Sequence, residues 1–442
     1  MLVRFLDGHY VDRDACDRAF LRMHQRDRIG DRLHLGFACL GLICMFGPVT
    51  ITEIAFAPLL VFFLVRVLNT FPVWIHGFGQ PAVLLGIMLS GWMMISLNWS
   101  GDPFLGWGEI SELRWFVLVG LVFPVIEQRK VLISAMAIGI AIGQIAQIFD
   151  AFDGFGIKWL ELAVHHQPNR LGGWWHPVVG GAMLVGALGL HLPSMLFGVG
   201  RARLFALVLG SIAGVGIIAT GTRGAWIAGV LLVIFAIGFG ALTKRIRPKR
   251  VLLIVLGAVV VSGVGLAVMH QAVGERVSVT RTELSEIMDG DYDSMTGLRV
   301  KMGLVAIDAG LEHPLIGVGA GGYQAWSNEH EPDLTMPVHA HAHNSALHAW
   351  STLGLVGVLF WIVLIASMLR SSWRLWDADG SDGRPDYSGL GPMFAIVGLL
   401  LASLTHSLQV STQTAAMLAV LAALSPAYVP DHPRWRQDHP VP

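Results

Sequence analysis

The chain is long and apolar: it has 442 residues, of which 54% are hydrophobic and 14% are charged. Soluble domains carry about 25% charged residues, so this composition excludes an ordinary soluble protein. The formal net charge of −1 at pH 7 says nothing about a partner, whereas the distribution of the charges along the chain does.

Residues 1–32 form a basic segment that precedes the first apolar run. It is too charged for a signal peptide, and we predict a cytoplasmic segment that contains an amphipathic helix on the inner leaflet. The three cysteines, Cys16, Cys39 and Cys44, lie in this segment or in the first apolar run. None lies in an external loop, so the sequence implies no disulfide framework.

Apolar runs of membrane-spanning length recur from residue 33 to residue 429. Each must form a helix, because an isolated strand in lipid would leave backbone groups without hydrogen bonds. We therefore predict an all-α polytopic membrane protein with about twelve transmembrane helices. The predicted spans are 33–49, 51–68, 81–98, 112–126, 131–149, 177–192, 204–221, 224–242, 251–269, 344–369, 389–407 and 411–429.

The basic residues fix the predicted orientation. With the N-terminus in the cytoplasm, 22 of the 30 lysines and arginines fall on the cytoplasmic side, as the positive-inside rule requires. Both termini are then cytoplasmic. The predicted organisation is a cytoplasmic segment 1–32, helices 1–9 over 33–269, an external loop 270–343, helices 10–12 over 344–429 and a cytoplasmic tail 430–442.

Three external arginines are hard to explain as ordinary solvent-exposed residues. Arg170 precedes the sixth span beside aromatic residues, Arg223 lies in a turn with almost no loop around it, and Arg299 lies in the long external loop. Arginine suits an anionic phosphate because its planar fork donates two parallel hydrogen bonds and keeps its charge. The alternatives are snorkelling to headgroups for Arg223, a position at the membrane interface beside the aromatic residues for Arg170 and a solvated helix face for Arg299.

The external loop 270–343 is far longer than a helix connection requires, and long structured loops are usually functional. Apolar residues at helical spacing predict an amphipathic helix over Met295–Glu312. A glycine-rich turn follows, at 314–323. We discount a nucleotide site there because nucleotide triphosphates are absent outside the cell membrane, and we interpret Asp291-Tyr292-Asp293 as a solvated loop rather than a metal-binding motif.

His339, His341 and His343 alternate just before the tenth span, and Asn344 follows them. Polar residues at a membrane boundary cost free energy, which makes this segment a candidate functional site. On an extended segment all three histidines could face one side and bind zinc or copper. No residue nearby in the sequence supplies a fixed fourth ligand, so we favour an acid–base role.

Together these motifs resemble the O-antigen ligase/polymerase superfamily. The relevant stretches are Thr220-Gly-Thr-Arg-Gly-Ala-Trp, Arg299 with the following His313-Pro-Leu-Ile-Gly-Val-Gly, and His343-Asn344. The ligase branch carries His-Asn, then nine residues, then Gly-x-x-Gly. Here nine residues separate Asn344 from Gly354-Leu355-Val356-Gly357. The resemblance extends from the fifth span to the tenth.

The resemblance implies a membrane glycosyltransferase with a glycosyltransferase C-like fold in the bacterial inner membrane. The expected donor is a glycan on undecaprenyl diphosphate at the periplasmic face, the expected acceptor is a hydroxyl of lipid A-core, and the expected outcome is inversion. His343 would be the base, assisted by Asn344. Arg223 and Arg299 would neutralise the diphosphate, with Arg170, His341 and Gly319 in substrate binding. No metal, cofactor or nucleic acid is expected.

Other functions remain open at this point. A transporter would carry ionisable residues and helix breaks near mid-membrane, often in repeated halves, and neither pattern is evident. Within the superfamily, a polymerase would use a growing glycan as acceptor, and a protein-directed oligosaccharyltransferase usually has an extra C-terminal periplasmic domain. The spacing of the His-Asn motif favours the ligase.

Overall fold

The computed structural model describes residues 2–7, 12–154, 170–243, 248–268, 270–331, 341–377 and 389–426. Within these ranges the regular elements are helices, and no strand is present. The α-helices are α1 Leu2–Leu6, α2 Arg13–Arg26, α3 Arg28–Cys44, α4 Val49–Val65, α5 Val67–Phe78, α6 Pro81–Ser96, α7 Pro103–Glu112, α8 Val117–Val122, α9 Arg129–Gly154, α10 Pro177–Phe197, α11 Gly200–Ala219, α12 Arg223–Leu242, α13 Pro248–Val268, α14 His270–Met288, α15 Met295–Glu312, α16 Gly322–His330, α17 Ser345–Asp377, α18 Leu390–Ala402 and α19 Thr412–Ala423.

Six described helical segments are long and apolar enough to cross a membrane, and the bent pair α4–α5 would make a seventh. Helices α18 and α19 are apolar but have only 13 and 12 residues. The chain is therefore a multi-pass membrane protein, and its described part is all-α. Helical residues lie over each of the twelve predicted segments, but the count of twelve crossings stays a prediction.

The second predicted span does not continue straight to residue 68. Helix α4 ends at Val65, and α5 leaves at an angle of 110°. Arg66 lies at the bend, buried to 4% exposure, with Nε 2.7 Å from the Asp27 carboxylate and Nη2 2.6 Å from that of Asp31. A buried charge is tolerated when it is paired and hydrogen-bonded, so these contacts explain how an arginine occupies the bend.

Helix α10 forms the centre of the bundle, packed against α11 and α18. Along the apolar, membrane-spanning part of this helix, 89% of the residues are buried. Glycine makes this close packing possible: a Cβ built at Gly189 would lie 2.5 Å from the Phe394 carbonyl oxygen of α18. Small residues at helix contacts let backbones approach closely, as is common in membrane proteins.

The predicted helix over Met295–Glu312 is confirmed, with Leu298, Met302, Val305 and Ala309 buried. The loop also contains α14 and α16, which the sequence analysis did not predict. Asp291 and Asp293 are exposed, as predicted for a solvated stretch. Placement of this region outside the membrane stays a prediction, and the predicted tail 430–442 lies outside the described residues.

The predicted amphipathic helix of the N-terminal segment is present as α2. Its apolar face, Cys16, Phe20 and Met23, packs against Val73 of α5 and the 3-10 helix Phe123–Gln128. The helix therefore covers protein surface with this face. All three cysteines are free thiols, in agreement with the absence of a predicted disulfide framework.

Candidate functional site

Arg223 is the first residue of α12, directly after a turn in which Gly221 has a φ of +61°. Its Nη1 donates to Thr280 Oγ1 and Glu283 Oε2, both at 2.6 Å, and its Nη2 donates to Thr296 Oγ1 at 2.8 Å. These partners lie on α14 and at the start of α15. One guanidinium thus ties the predicted external loop to the helix bundle.

Glu283 supplies the negative charge that balances Arg223. Burial alone would raise the pKa of this carboxyl, but hydrogen bonds from Arg223 and Thr296 outweigh burial and lower it. Glu283 is therefore an ionised carboxylate at neutral pH. It neutralises one of the two arginines that meet here.

Arg299 is the second arginine, one turn after Thr296 on α15. It is half-buried, and it makes no hydrogen bond or salt bridge to the residues that the structure describes. Burial and the positive charge of Arg223 lower its pKa, while Glu283 acts in the opposite sense. Two guanidiniums facing one carboxylate leave an excess positive charge, which favours an anionic ligand.

Arg170 supports the turn before Arg223. Its Nε donates to the Thr220 carbonyl and its Nη2 to Thr222 Oγ1, both at 3.1 Å. Thr222 Oγ1 donates in turn to the Pro177 carbonyl at 3.0 Å. These contacts make Arg170 a residue that positions the Arg223 turn, and its predicted contact with substrate is not tested by them.

His343 has a φ of +50° and is the one residue other than glycine with a positive φ among the described residues. Such backbone conformations cost free energy and concentrate at functional sites. The rings of His341 and His343 have centroids 4.4 Å apart, and the His341 ring lies 6.4 Å from that of His406. His339 lies outside the described residues.

Asn344 fixes the start of α17. Its Oδ1 accepts from the backbone N–H groups of Ala346 and Leu347 at 3.0 and 3.1 Å, and its Nδ2 donates to the Leu404 carbonyl at 3.1 Å. An asparagine cap of this kind stabilises the first turn of a helix. Asn344 thereby holds the backbone that carries His343 and attaches it to the 403–407 loop.

The 403–407 loop joins the histidines to the arginines. The Ser345 N–H donates to the Ser403 carbonyl at 3.0 Å, and Ser345 Oγ donates to the His406 carbonyl at 3.3 Å. On its other side the loop packs on α12, where a Cβ at Gly224 would lie 1.8 Å from Thr405 Oγ1. Because Gly224 follows Arg223, this contact brings the arginine turn beside the His406 loop.

Charge interactions agree with this arrangement. Arg299 lies within electrostatic range of both Arg223 and His406. The predicted base His343, its neighbour His341 and the predicted arginines therefore belong to one region of the molecule. Residues from five parts of the chain form it, which are the starts of α12 and α17, the end of α14, the helix α15 and the loop before α19.

Gly319 lies in the glycine-rich turn, wedged against the end of α6. It has a φ of +88°, and a Cβ there would lie 2.7 Å from the Ser96 carbonyl oxygen. Its N–H donates to the Thr352 carbonyl of α17 at 2.9 Å. The described contacts of Gly319 are packing contacts, and its predicted role in substrate binding stays a prediction.

The first glycine of the Gly-x-x-Gly motif has a structural explanation. Gly354 interrupts α17 with a φ of +63°, and a Cβ there would lie 2.4 Å from the Leu315 carbonyl carbon. The next N–H, that of Leu355, donates to the Pro314 carbonyl at 2.9 Å. The spacing from His343 to Gly354 thus sets the distance between the histidines and the glycine-rich turn.

The pair His348–Glu109 was not predicted from the sequence. His348 Nε2 lies 3.1 Å from Glu109 Oε1, and both side chains are buried. The His348 ring lies 6.4 Å from that of His341, so the pair is adjacent to the histidine cluster. A signal was available, because His348 lies five residues after His343 on the predicted span.

The structure revises the metal alternative that the sequence left open. His341, His343 and His406 each present a ring nitrogen, and these atoms all lie within 4.8 Å of one another. From the sequence, His341 and His343 were grouped with His339, and no fixed fourth ligand was predicted. His406 was missed because it is more than sixty positions away and at the end of a predicted span.

Comparison with known proteins gives one match, which covers the central part of the chain. Residues 205–362 match the family model described as O-antigen ligase. The match includes Arg223, Arg299 and the His343-Asn344 motif. No curated protein matches the chain.

Proposed function

We propose that this chain, of which residues 205–362 match the O-antigen ligase family model, is a member of that superfamily and catalyses the ligase reaction. The protein transfers O-antigen polysaccharide from undecaprenyl diphosphate to a sugar hydroxyl of lipid A-core. The reaction takes place at the periplasmic face of the inner membrane, with both termini of the protein in the cytoplasm. The observation that carries the proposal is the Arg223–Arg299 pair, with Arg299 lacking a hydrogen bond to any described residue, beside the histidine cluster.

The arginines bind the leaving group. As the bond from the anomeric carbon to the phosphate oxygen breaks, negative charge accumulates on the diphosphate. Arg299 donates to it directly, and Arg223 adds its field while it holds α14 and α15 in place. One fixed donor aimed at developing charge contributes about 3–4 kcal/mol to catalysis.

His343 acts as the base. The acceptor hydroxyl attacks the anomeric carbon from the side opposite the diphosphate, which inverts the configuration, and the hydroxyl proton moves to the imidazole. Histidine suits this task because it titrates nearest to neutral pH. A positioned base contributes about 10²–10⁴-fold. The donor is already activated, so the step requires no nucleotide and no metal.

The test is lipopolysaccharide electrophoresis in a deletion strain complemented with wild type or with His343→Asn. Asparagine tolerates the left-handed backbone of residue 343, so this variant removes the imidazole without adding strain. We expect bare lipid A-core, with polymer accumulating on the lipid carrier. His270→Asn, which changes an exposed histidine on α14, is the matched control and should restore the ladder.

Other outcomes would assign a different function to the protein. Core capped by a single repeat unit in the deletion strain would indicate a polymerase. Normal lipopolysaccharide together with an unmodified glycoprotein would indicate a protein-directed oligosaccharyltransferase. A full ladder with His343→Asn would remove His343 from the mechanism.

A further inference from the structure

We propose that His341, His343 and His406 bind one transition-metal ion, with Zn²⁺ as the best match, and that the bound ion inhibits the enzyme. The inhibitory part rests on the proposed role of His343 as base. The metal-binding part rests on geometry alone.

The three ring nitrogens are already close enough to converge on one ion. All lie within 4.8 Å of one another. In a tetrahedral zinc site the nitrogens lie about 2.0–2.1 Å from the metal, which places them roughly 3.4 Å apart. Side-chain rotations that move the ring nitrogens by about an ångström therefore complete the site, while the backbone stays fixed by Asn344 and Ser345.

The surroundings of His406 indicate that a ligand binds here. The residue is 7% exposed, and neither ring nitrogen has a hydrogen-bond partner within the described part of the chain. A buried polar group without a partner destabilises the folded protein. Coordination of a metal by one nitrogen would compensate part of this cost.

The ligand chemistry selects the class of ion. Three imidazoles with no carboxylate among them favour Zn²⁺, Cu²⁺ or Ni²⁺ over Mg²⁺ and Ca²⁺, which prefer oxygen. Three protein ligands leave the fourth position for water or an anion. Arg299 lies within electrostatic range of His406 and opposes a bare cation, so an anion in that position stabilises the bound state.

Metal binding and base catalysis require the same lone pair. When a nitrogen of His343 coordinates Zn²⁺, that nitrogen cannot accept the proton of the acceptor hydroxyl. The ion would also occupy space beside Arg299 where the diphosphate is expected. Zinc should therefore act as a reversible inhibitor that a chelator removes.

The test measures zinc binding by the full chain in detergent, freed of metal, by competition with a chromophoric chelator at pH 7.5. We expect one high-affinity site per chain in the wild type. His406→Asn should weaken it by about 100-fold or more, given that even indirect supports of metal sites are worth 10–100-fold. His341→Asn, which changes a half-exposed side chain, gives the same readout should His406→Asn fail to fold.

Two surface controls make the result specific. His270→Asn and His330→Asn should bind zinc as the wild type does, and the second control detects any ion held near Glu312 and His313. Unchanged affinity in both His406→Asn and His341→Asn would overturn the site, as would the absence of a high-affinity site in the wild type.

Inhibition is measured separately, as the ratio of glycosyl transfer with zinc to transfer with chelator. We expect a large fall in the wild type, restored by chelator. Zinc bound at the three histidines with no loss of transfer would overturn the inhibitory role and leave the site intact. A protein with no transfer activity at all would refute the proposed function, whereas the binding data would stand.

Discussion

At the scale of single residues, the two arginines of the site differ in what they contact. Arg223 makes three hydrogen bonds to protein side chains, whereas Arg299 makes none to the described residues. Arg223 therefore has a structural role in addition to its proposed role in catalysis, and the Arg299 guanidinium is available for the proposed substrate. Conservative substitution should separate these roles.

We predict that Arg299→Lys lowers glycosyl transfer by about 100-fold and leaves the melting temperature unchanged, because lysine keeps the charge but loses the bidentate fork. Arg223→Lys should lower both, since charge-assisted hydrogen bonds to Glu283 and Thr296 are worth about 1.5–3 kcal/mol each. Transfer with purified lipid-linked donor and thermal unfolding in detergent measure the two effects. Equal losses of stability in the two variants would contradict the distinction.

Some of these site residues could be predicted from the sequence, and others could not, for a physical reason. Arg223 and His343 stand out because charged or polar residues at apolar segments are costly, whereas Arg299 stands out by its place in an unusually long loop and by the resemblance to the family. Glu283 was one of many acidic residues in a long loop, and only the fold selects it as the partner of Arg223. His406 is similar: its approach to His341 depends on how α17 and α18 pack, which no local pattern encodes.

At the scale of helices, α15 carries Arg299 and packs on α17. Two of its glycines differ in their surroundings. A Cβ at Gly310 would lie 1.9 Å from Trp350 Nε1, whereas a Cβ at Gly303 would meet only Leu347 Cδ1 at 3.5 Å. The contact at Gly310 fixes how closely α15 approaches α17.

We predict that Gly310→Ala destabilises the protein by about 1–3 kcal/mol and reduces transfer, because Trp350 must move. The matched control Gly303→Ala should be neutral or stabilising by up to about 1 kcal/mol, since alanine is the better helix former. Thermal unfolding and transfer of the two variants check this. A greater loss from the control would contradict the packing argument.

Helix α2 is held to α3 by a contact of His24, whose strength depends on the protonation of the imidazole. His24 lies 2.5 Å from Asp31 and 2.7 Å from Glu127. Burial lowers the pKa of His24, but the hydrogen bonds to the two carboxylates outweigh it and raise the pKa to about 9. The protonated imidazole is thus bound more tightly in the folded state than in the unfolded state.

The sign of the pH effect follows from this raised pKa. The stabilisation is fully present below pH ~6.5, the pKa of an unfolded histidine, and is lost as pH rises through about 9. We predict a loss on the order of 3 kcal/mol between these values, visible as a falling melting temperature. His24→Gln should show a flatter profile, and identical profiles for wild type and variant would refute the assignment.

At the scale of the whole molecule, the orientation in the membrane is open to direct test. In a background without the three native cysteines, we predict that Ser285→Cys on α14 reacts with a membrane-impermeant maleimide in cells with a permeable outer membrane. Arg201→Cys, at the start of α11, should react only after the inner membrane is opened. Both side chains are exposed, so accessibility depends on the side of the membrane. The reverse pattern would invert the predicted topology.

The sequence predicts the helical architecture far better than its details. Apolar runs alone placed helices over the predicted segments, because lipid leaves the backbone no alternative. The bend at Arg66 was not foreseen, since it depends on Asp27 and Asp31 from a different helix. The short lengths of α18 and α19 were also not foreseen: the predicted spans run to residues 407 and 429, whereas the helices end at Ala402 and Ala423.

The central position of α10 has a consequence for biosynthesis. The face of α10 that carries Gly189 packs on α18, which follows after roughly 190 residues of chain. At a synthesis rate of about 5–20 residues per second, this surface waits for its partner on the order of 10–40 s. During that interval the nascent protein must shelter a closely packing helix face by transient contacts with its own earlier helices or with the insertion machinery. The order in which the ribosome delivers the helices is thus a constraint that the finished bundle no longer reveals.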